Sequence, residues 1–387
     1  MAGDNRGNRD AARQLIRQYI PQLPSLMVRG LGYHMAGSLT APKPTRLGLK
    51  VTTQCNARCI MCTVWRKRDS GEYLSVGAIR EVVNNPLFDS LESVSLGGGE
   101  PTLREDLAEV AEVILDCRPQ IKSIGLSTNG LEPELVQQRL EEVARLSQRR
   151  GIKFSVGISV DGYGDTHGKI RSVPHAFDRV NETIRLLKEL DRHLSINLHI
   201  NCVVQPWNIK ELTQLSRFAE EMELPIQYFP VYIYPSLAEY EGAVQQLEMT
   251  PEQKEGLSLY FNDSRYDLLP IWAAFWQDYS RISRGAKRSF PCALLHHNVY
   301  IDADGSLYIC AADESLVYGN INDAPIDQIW YSDKAKRTRA EIKTNYCPQC
   351  TMACDIAFSL GQEFFYFARF LLKEEVKKFI RRFQPGH

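Results

Sequence analysis

Cysteines are the residues of this 387-residue chain whose number and spacing point most directly to chemistry. Cys55, Cys59 and Cys62 follow a C-x3-C-x2-C pattern, whereas Cys117 and Cys202 stand apart from the others. The remaining five gather late in the chain, at Cys292, Cys310, Cys347, Cys350 and Cys354. Ten cysteines in a cytoplasmic chain favour metal ligands over disulfides, because that compartment keeps thiols reduced. The sequence therefore predicts two metal centres.

The composition places these cysteines in a folded, cytoplasmic protein. Hydrophobic residues make up 44% of the chain and charged residues 24%, as in ordinary globular domains. Residues 1–10 are polar and no apolar run has transmembrane length, so we expect neither a secretory signal nor a membrane-spanning helix. Lysine and arginine number 46 against 47 for aspartate and glutamate, so no basic field exists to attract nucleic acid.

Strand-like runs alternate with helical segments between residues 46 and 235, which predicts repeated βα units and a parallel sheet. The predicted strands are 47–52, 93–97, 123–129, 154–161, 198–204 and 226–231. The predicted helices include 107–115, 134–146, 176–190 and 209–222. Apolar and small polar residues alternate along the strands, as where Val156 and Ile158 alternate with Gly157 and Ser159.

The small polar face of these strands indicates a lumen. Helices cover one side of a parallel sheet, so the apolar face turns to them and the small polar face turns inward. Filled barrels pack bulky side chains in that interior instead. We therefore expect an α/β fold with a partial (β/α)6 TIM-like barrel whose lumen leaves room for a ligand. Lys50, His199 and Asn201 lie on this inner face and are candidate catalytic residues.

The C-x3-C-x2-C loop directly follows the first predicted strand, where loops at the carboxyl end of a barrel carry chemistry. Three thiolates are an odd set for a closed zinc site, which takes four ligands. An iron-sulfur cube held by three cysteines keeps one iron open for another molecule. A zinc protein that contains this spacing by chance remains the alternative.

Three further motifs end the next three strands in order. The sequence Gly98-Gly99-Glu100-Pro101 follows the second strand, Ser127-Thr128-Asn129-Gly130 the third, and Ser159-Val160-Asp161-Gly162 the fourth. Together with the cysteine loop, this order resembles the radical S-adenosylmethionine superfamily over residues 46–235, with GGEP, TNG and S-x-D-G segments. Met61 stands where the family usually has an aromatic residue.

The resemblance implies a cofactor site. Cys55, Cys59 and Cys62 would hold a [4Fe-4S] cluster whose fourth iron is chelated by S-adenosylmethionine. Arg171 stands where relatives have an arginine that reaches the methionine carboxylate, although Asp161 and Arg171 could instead only pair with one another. The expected contacts to the rest of the cofactor are Gly98, Gly99 and Glu100 for the methionine ammonium, then Ser127, Asn129, Ser159 and Asp161.

The late cysteines surround a predicted β-hairpin. Two short alternating runs, 298–302 and 305–309, flank an Asp304-Gly305 turn between Cys292 and Cys310. Cys347 and Cys350 supply two more thiolates. A zinc ribbon, in which four thiolates hold one zinc ion, has the same set of ligands. After a radical S-adenosylmethionine core, the pattern looks like a twitch domain, a shortened relative of the SPASM domain. That resemblance implies one auxiliary [4Fe-4S] cluster held by Cys292, Cys310, Cys347 and Cys350, with Cys354 a possible substitute ligand.

These features divide the chain into five predicted parts. Residues 1–45 form a helical extension, 46–235 the partial barrel, 236–290 a helical connection, and 291–360 the small cysteine-rich hairpin-plus-helix domain. Residues 361–387 hold an amphipathic helix. The two terminal segments could touch an anionic membrane, but packing against the barrel is the favoured interpretation.

The resemblance implies reductive cleavage of S-adenosylmethionine to a 5′-deoxyadenosyl radical, with an external donor such as flavodoxin or ferredoxin. The radical then removes hydrogen from a small-molecule or peptide substrate. No separate peptide-recognition domain is visible, which favours oxidation of a small polyol, aminocyclitol, sugar-like or cofactor-like molecule, with the auxiliary cluster as electron acceptor. Alternatives are a maturase of ribosomal peptides, a lipid-modifying enzyme of the same superfamily, and a zinc-stabilised binding protein without catalysis.

Overall fold

A computed structural model describes residues 41–66, 73–240, 242–262, 270–289, 292, 294–310 and 316–353. The strands are β1 Arg46–Thr52, β2 Ser93–Gly98, β3 Ser123–Thr128, β4 Lys153–Ser159, β5 Ile196–Val204, β6 Ile226–Pro230, β7 Asn298–Ile301, β8 Ser306–Tyr308 and β9 Val317–Asn320. They form one open sheet in the order β6-β5-β4-β3-β2-β1-β7-β8-β9. The first six pair in parallel, so the predicted partial (β/α)6 barrel is confirmed.

Helices connect the strands and continue after β6. The α-helices are α1 Val76–Val83, α2 Leu107–Cys117, α3 Pro133–Arg150, α4 Asp165–Arg171, α5 Ala176–Leu194, α6 Leu212–Glu221, α7 Pro235–Ala238, α8 Ala243–Leu247, α9 Pro251–Asn262, α10 Pro270–Ser283, α11 Leu294–His297, α12 Ile326–Trp330 and α13 Asp333–Glu341. A π-helix spans Ile342–Tyr346, and short 3-10 turns span Val64–Arg66, Pro86–Ser90, Pro101–Leu103 and Cys347–Gln349.

Helix ends follow local chemistry more than the apolar pattern. α3 begins with a proline at its first turn and continues past the predicted end at residue 146, because its last turn is polar and Gly151 supplies the left-handed cap at φ 64°. Ser75 caps α1 by accepting a hydrogen bond from the Ala78 amide at 3.2 Å. The apolar pattern therefore places a helix correctly, whereas capping residues decide where it stops.

The two faces of the sheet differ as predicted. Val156 and Ile158 of β4 are fully buried in the core that the strands share with the helices. On the other face, Ser123 donates to Ser93 at 3.0 Å and Asn197 donates to Ser155 at 3.0 Å, so polar groups satisfy one another across neighbouring strands. The inner face is thus lined by small polar groups and leaves a lumen.

The cysteine-rich module is continuous with the barrel sheet, a feature that the sequence did not reveal. β7 pairs in parallel with β1, and the predicted hairpin of β7 and β8 then extends the sheet, with Tyr300 opposite Tyr308. Trp330 also donates to the Pro42 carbonyl at 3.2 Å. The open edge of β1 is therefore covered by residues from about 250 positions later in the chain.

Some predictions fall outside the described residues. These are the helical extension up to residue 40, the terminal amphipathic helix at 361–387, and Cys354. In the part of the chain that the structure describes, no helix has both the length and the apolar character needed to cross a membrane.

Substitution of Gly48 tests the packing of the hairpin against the first barrel strand. A Cβ at Gly48 would lie 2.4 Å from the Tyr300 ring, whereas a Cβ at Gly125, in the same cross-sheet row, makes only ordinary contacts. We predict that Gly48→Ala lowers the free energy of unfolding by about 1–3 kcal/mol through overpacking. Gly125→Ala leaves it unchanged or slightly raised.

Urea unfolding measures both changes, and a double-mutant cycle checks the cause. In a Tyr300→Ala background the cost of Gly48→Ala should disappear, because the clashing ring is gone. An equal cost in both backgrounds would show that the hairpin does not limit position 48.

Candidate functional site

The three early cysteines lie on a loop that begins where β1 ends. The end of α4 holds this loop through two backbone hydrogen bonds. The Arg58 amide donates to the Arg171 carbonyl at 3.1 Å, and the Ile60 amide donates to the Ile170 carbonyl at 3.0 Å. The cysteines pack in a small apolar cluster with Ala57, Leu131, Ala176 and Met61. The structure therefore brings the three thiols together in a partly water-excluded shell.

These thiols form a donor set that suits a cationic cluster. Burial, together with the neighbouring thiols, raises the pKa of Cys55 to about 11 and that of Cys62 to about 12. Burial also raises the pKa of Cys59, which the adjacent Arg171 guanidinium opposes. Iron binds thiolates, so a cluster at this position would displace the protons that burial otherwise retains. Among the described residues, no three His, Cys, Asp or Glu side chains are placed to hold one lone metal ion.

The glycines of the GGEP segment pack directly against the start of the cysteine loop. Gly99 donates to the Thr52 carbonyl at 2.8 Å, and Glu100 donates through its backbone to the Gln54 carbonyl at 2.8 Å. A Cβ would lie 2.2 Å from the Thr52 oxygen at Gly98 and 2.0 Å from the Gln54 oxygen at Gly99. Gly98 also has a φ of 114°. Only glycine fits both positions without moving the loop.

The Glu100 carboxylate joins the second and third strand ends. One of its oxygens accepts from the Thr102 hydroxyl at 2.7 Å and the Thr128 hydroxyl at 2.8 Å, and the other accepts from the Asn129 amide at 2.7 Å. Burial raises the pKa of Glu100, and these donors oppose the rise. The sequence predicted a cofactor contact here, and the structure shows that protein donors already engage both oxygens.

Asn129 connects the third strand end to the cysteine loop. Its side-chain NH2 group donates to the side-chain Oδ1 of Asn56 at 2.7 Å and lies 3.8 Å from the Cys55 sulfur. Its own carbonyl oxygen accepts from the Leu131 amide at 3.0 Å, which fixes the orientation of the side chain. Asn56 has no special sequence signal, so only the fold reveals this contact.

Asp161 and Arg171 form a buried ion pair that extends to the cysteines. Arg171 lies 2.5 Å from the Asp161 carboxylate and donates to the Cys59 sulfur at 3.5 Å. Burial works against the charge on Arg171, but the carboxylate and the thiol raise its pKa above the ordinary value. The two residues therefore do pair with each other, and Arg171 also contacts the cysteine loop.

Two residues that the sequence analysis did not single out hold this ion pair in place. Val203 donates its amide to Asp161 at 2.7 Å, and the Asp161 amide donates to the His167 ring at 3.0 Å. Burial, with Arg171 nearby, lowers the pKa of His167 to about 3, so the ring is neutral and can accept. His167 follows the S-x-D-G segment by a few residues, but nothing in its local pattern marks it.

The lumen candidates take up separate positions on the inner face. The Lys50 ammonium lies 3.1 Å from the Asp302 carboxylate, a partner from the hairpin that the sequence did not indicate. Across the lumen, Asn201 donates to Ser127 at 3.4 Å. Burial lowers the pKa of His199, which stands opposite Gly157 in the register of β4 and β5, and Ser159 stands opposite Asn201.

The late cysteines form a second group. Cys292 and Cys350 are buried. Burial, together with these two neighbouring thiols, raises the pKa of Cys347 to about 12. Arg288 donates its amide to the Pro348 carbonyl at 2.9 Å, so the segment after α10 holds the C-x2-C turn. Cys310 lies two residues after β8, partly buried against the core.

Two family models match the chain where these two groups lie. Residues 49–219 match the Radical SAM superfamily, and residues 292–355 match the SPASM iron-sulfur cluster-binding domain. The chain belongs to the radical SAM superfamily. It therefore works with a [4Fe-4S] cluster, S-adenosylmethionine and an auxiliary cluster in the SPASM domain, and the zinc interpretations are set aside.

Sequence relatives match much of this chain at modest identity. The AdoMet-dependent heme synthase of Methanosarcina barkeri is 25% identical over 313 residues, which cover 74% of this chain and 82% of that protein. The GTP 3′,8-cyclase of Aquifex aeolicus is 24% identical over 318 residues, covering 77% and 94%. These two radical SAM relatives bear names for different reactions, so membership alone does not fix the substrate.

Solved structures show the same fold. The enzyme anSMEcpe with bound AdoMet aligns with a TM-score of 0.56 at 18% identity, covering 85% of this chain and 98% of that one. SuiB of Streptococcus suis, bound to its precursor peptide SuiA, aligns with a TM-score of 0.55 at 14% identity, covering 86% and 71%. Both likenesses support the open parallel-stranded barrel.

The buried ion pair at the cysteine loop yields a stability prediction. Asp161→Asn removes the carboxylate and leaves the Arg171 charge buried without its partner, so we expect the free energy of unfolding to fall by about 3–5 kcal/mol. Glu189→Gln, at the exposed pair with Arg192, is the control and should change it by less than about 1 kcal/mol.

Urea unfolding of the cluster-free protein checks both variants. If Asp161→Asn lowers the free energy of unfolding as little as Glu189→Gln does, the buried pair does not hold α4 against the cysteine loop.

Proposed function

We propose that Cys55, Cys59 and Cys62 hold the catalytic [4Fe-4S] cluster and that the ends of β2 to β4 hold S-adenosylmethionine. When bound, this pair supplies a 5′-deoxyadenosyl radical that abstracts hydrogen from substrate. The observation that carries the assignment is convergence: Asn129 lies 3.8 Å from Cys55, and Arg171 lies 3.5 Å from Cys59. The TNG segment and Arg171 thus both reach the cysteine loop.

Each motif has a separate task in this proposal. Gly98 and Gly99 bring backbone groups close to the loop and offer them to the methionine ammonium, while Glu100 fixes their position and adds negative charge. Arg171 offers the methionine carboxylate a buried guanidinium whose Nε–H has no hydrogen-bond partner among the described residues. Ser127, Ser159 and Asp161 complete the rim of the cofactor site.

The auxiliary cluster is assigned to Cys292, Cys310, Cys347 and Cys350. Interaction of Cys347 with Cys292 and Cys350 supports three members of this set, and Cys310 follows the second strand of the hairpin. Four protein ligands leave no open iron, which favours electron transfer over direct binding of substrate. Oxidation of the substrate radical is the outcome that such an acceptor supports.

We propose a small polar substrate, such as a polyol, aminocyclitol or sugar-like molecule. The lumen supports this class, because its described side chains include Lys50, Asp302, Ser127 and Asn201 rather than a bulky apolar lining. Lys50, His199 and Asn201 are the groups available to orient the substrate or to take up its proton. A ribosomal peptide remains the alternative.

A second candidate is an anionic, cofactor-like substrate. The match to a heme synthase over 74% of this chain supports it. For either substrate we propose a cytoplasmic enzyme that receives electrons from a flavodoxin or a ferredoxin.

Cleavage of S-adenosylmethionine tests the assignment of the first cluster. With dithionite under anaerobic conditions, we expect the wild-type protein to form 5′-deoxyadenosine. Cys59→Ala should lower its formation by about 100-fold or more, because one iron ligand is lost. Cys117→Ala, on α2 and away from both groups, is the control. Full cleavage by Cys59→Ala would contradict the assignment.

Iron analysis separates the two clusters. Wild-type protein should hold about eight irons, whereas Cys350→Ala should hold about four and still form 5′-deoxyadenosine. Retention of about eight irons by Cys350→Ala would remove that residue from the auxiliary set.

A further inference from the structure

The Lys50–Asp302 pair is a buried charge pair with no place in the assignments for the two clusters. Its side chains are only 11% and 10% exposed, and its members are separated by 252 residues. Burial of an ion pair usually costs about as much desolvation energy as the attraction returns, so the pair is poorly explained as a stabilising contact. Its position in the lumen points to a role in binding.

Rigid contacts hold this pair in place. The other Asp302 oxygen accepts from the Ala303 amide at 2.7 Å, so the carboxylate is fixed to the hairpin turn. The Lys50 ammonium lies 5.0 Å from the centre of the Tyr308 ring, within cation–π range. The Tyr308 ring is stacked on Tyr300 at 5.2 Å with planes 3° apart. Both charges are therefore oriented before any ligand arrives.

Open space lies next to this pair. Gly97 is the register partner of Lys50 on β2, and a Cβ built on Gly97 meets no heavy atom of the described residues within 4 Å. A Cβ on Gly157, two strands further on, would instead lie 2.1 Å from the Asn201 amide. In the strand order, Gly97 on β2 thus lies between Lys50 on β1 and the Ser127–Asn201 contact, which joins β3 and β5.

The surrounding groups select the chemistry of a ligand. An ammonium donates and a carboxylate accepts, and a hydroxyl group does both, so neighbouring hydroxyls satisfy Lys50 and Asp302 together. An anionic group would meet the Asp302 carboxylate 3.1 Å from the lysine and lose much of the attraction. The Asn201 amide adds a further donor and acceptor without charge.

We propose that the space over Gly97 is the substrate site and that Lys50 and Asp302 bind neighbouring hydroxyls of a neutral, polyhydroxylated substrate. This inference rests on the proposed function and narrows its substrate class. It also gives the SPASM-domain hairpin a direct part in substrate binding, because Asp302 belongs to the segment matched by that domain.

Substitution of Gly97 tests the site without removing a polar group. Its φ lies outside the left-handed region and a side chain there meets open space, so Gly97→Val should fold with wild-type stability while it fills the site. Gly125→Ala, one row deeper on the same face, is the matched control. Lys50→Met removes the ammonium and keeps most of the length of the side chain.

The probe is myo-inositol, a neutral ring with six hydroxyls, applied to the cluster-loaded protein with S-adenosylmethionine. We expect density over Gly97 in soaked crystals. In solution we expect affinity to fall by about tenfold or more in Gly97→Val and in Lys50→Met, but not in Gly125→Ala. Absence of binding, binding elsewhere, or unchanged affinity in Gly97→Val would overturn the proposal.

An anionic probe separates the neutral class from its competitor. If myo-inositol 1-phosphate binds through Lys50 more than about tenfold more tightly than myo-inositol, the site takes an anionic group and the neutral class is wrong. The slow formation of 5′-deoxyadenosine without substrate is measured in the same variants. If the wild-type protein forms no 5′-deoxyadenosine, the proposed function is wrong. If it forms 5′-deoxyadenosine but does not bind myo-inositol, only this inference is wrong.

Discussion

The close approach of the Gly98-Gly99 backbone to the carbonyls of Thr52 and Gln54 is the constraint on which the site depends. It joins the end of β2 to the start of the cysteine loop through hydrogen bonds of 2.8 Å, and no side chain fits between the two segments. The third strand end is then tied to the same place through Glu100. The loop is thereby held by backbone hydrogen bonds to one strand end and, through Glu100, is linked to the next.

A second support reaches the loop from the opposite side. The last carbonyls of α4 accept from the loop backbone, and Arg171 at the end of that helix contacts Cys59. Asp161 neutralises Arg171, while His167 and Val203 hold the backbone and the carboxylate of Asp161. The guanidinium opposes the rise that burial causes in the pKa of Cys59, so charge as well as position acts on this sulfur.

The sequence was sufficient for features that depend on local pattern. The six barrel strands were predicted within two residues at each end, because each is a short alternating run bounded by turn residues. It was insufficient for contacts between distant segments. Asp302 could not be assigned to Lys50, and the pairing of β7 with β1 could not be foreseen, since both join segments about 250 residues apart. Asn56 and His167 also lacked a signal, because a single polar residue is common in loops and short helices.

The pairing of β7 with β1 joins the radical SAM and SPASM domains in one sheet, so both can shape the lumen. Were the SPASM domain a separate body, its effect on the lumen would depend on a flexible interface. Instead its first strand is hydrogen-bonded to the strand that leads into the cysteine loop, and its turn supplies a carboxylate 3.1 Å from Lys50. The wall of the lumen is therefore built by both domains. A change of substrate in this architecture requires coordinated changes in β1 and in the hairpin, because neither alone defines the charges that face the open space over Gly97.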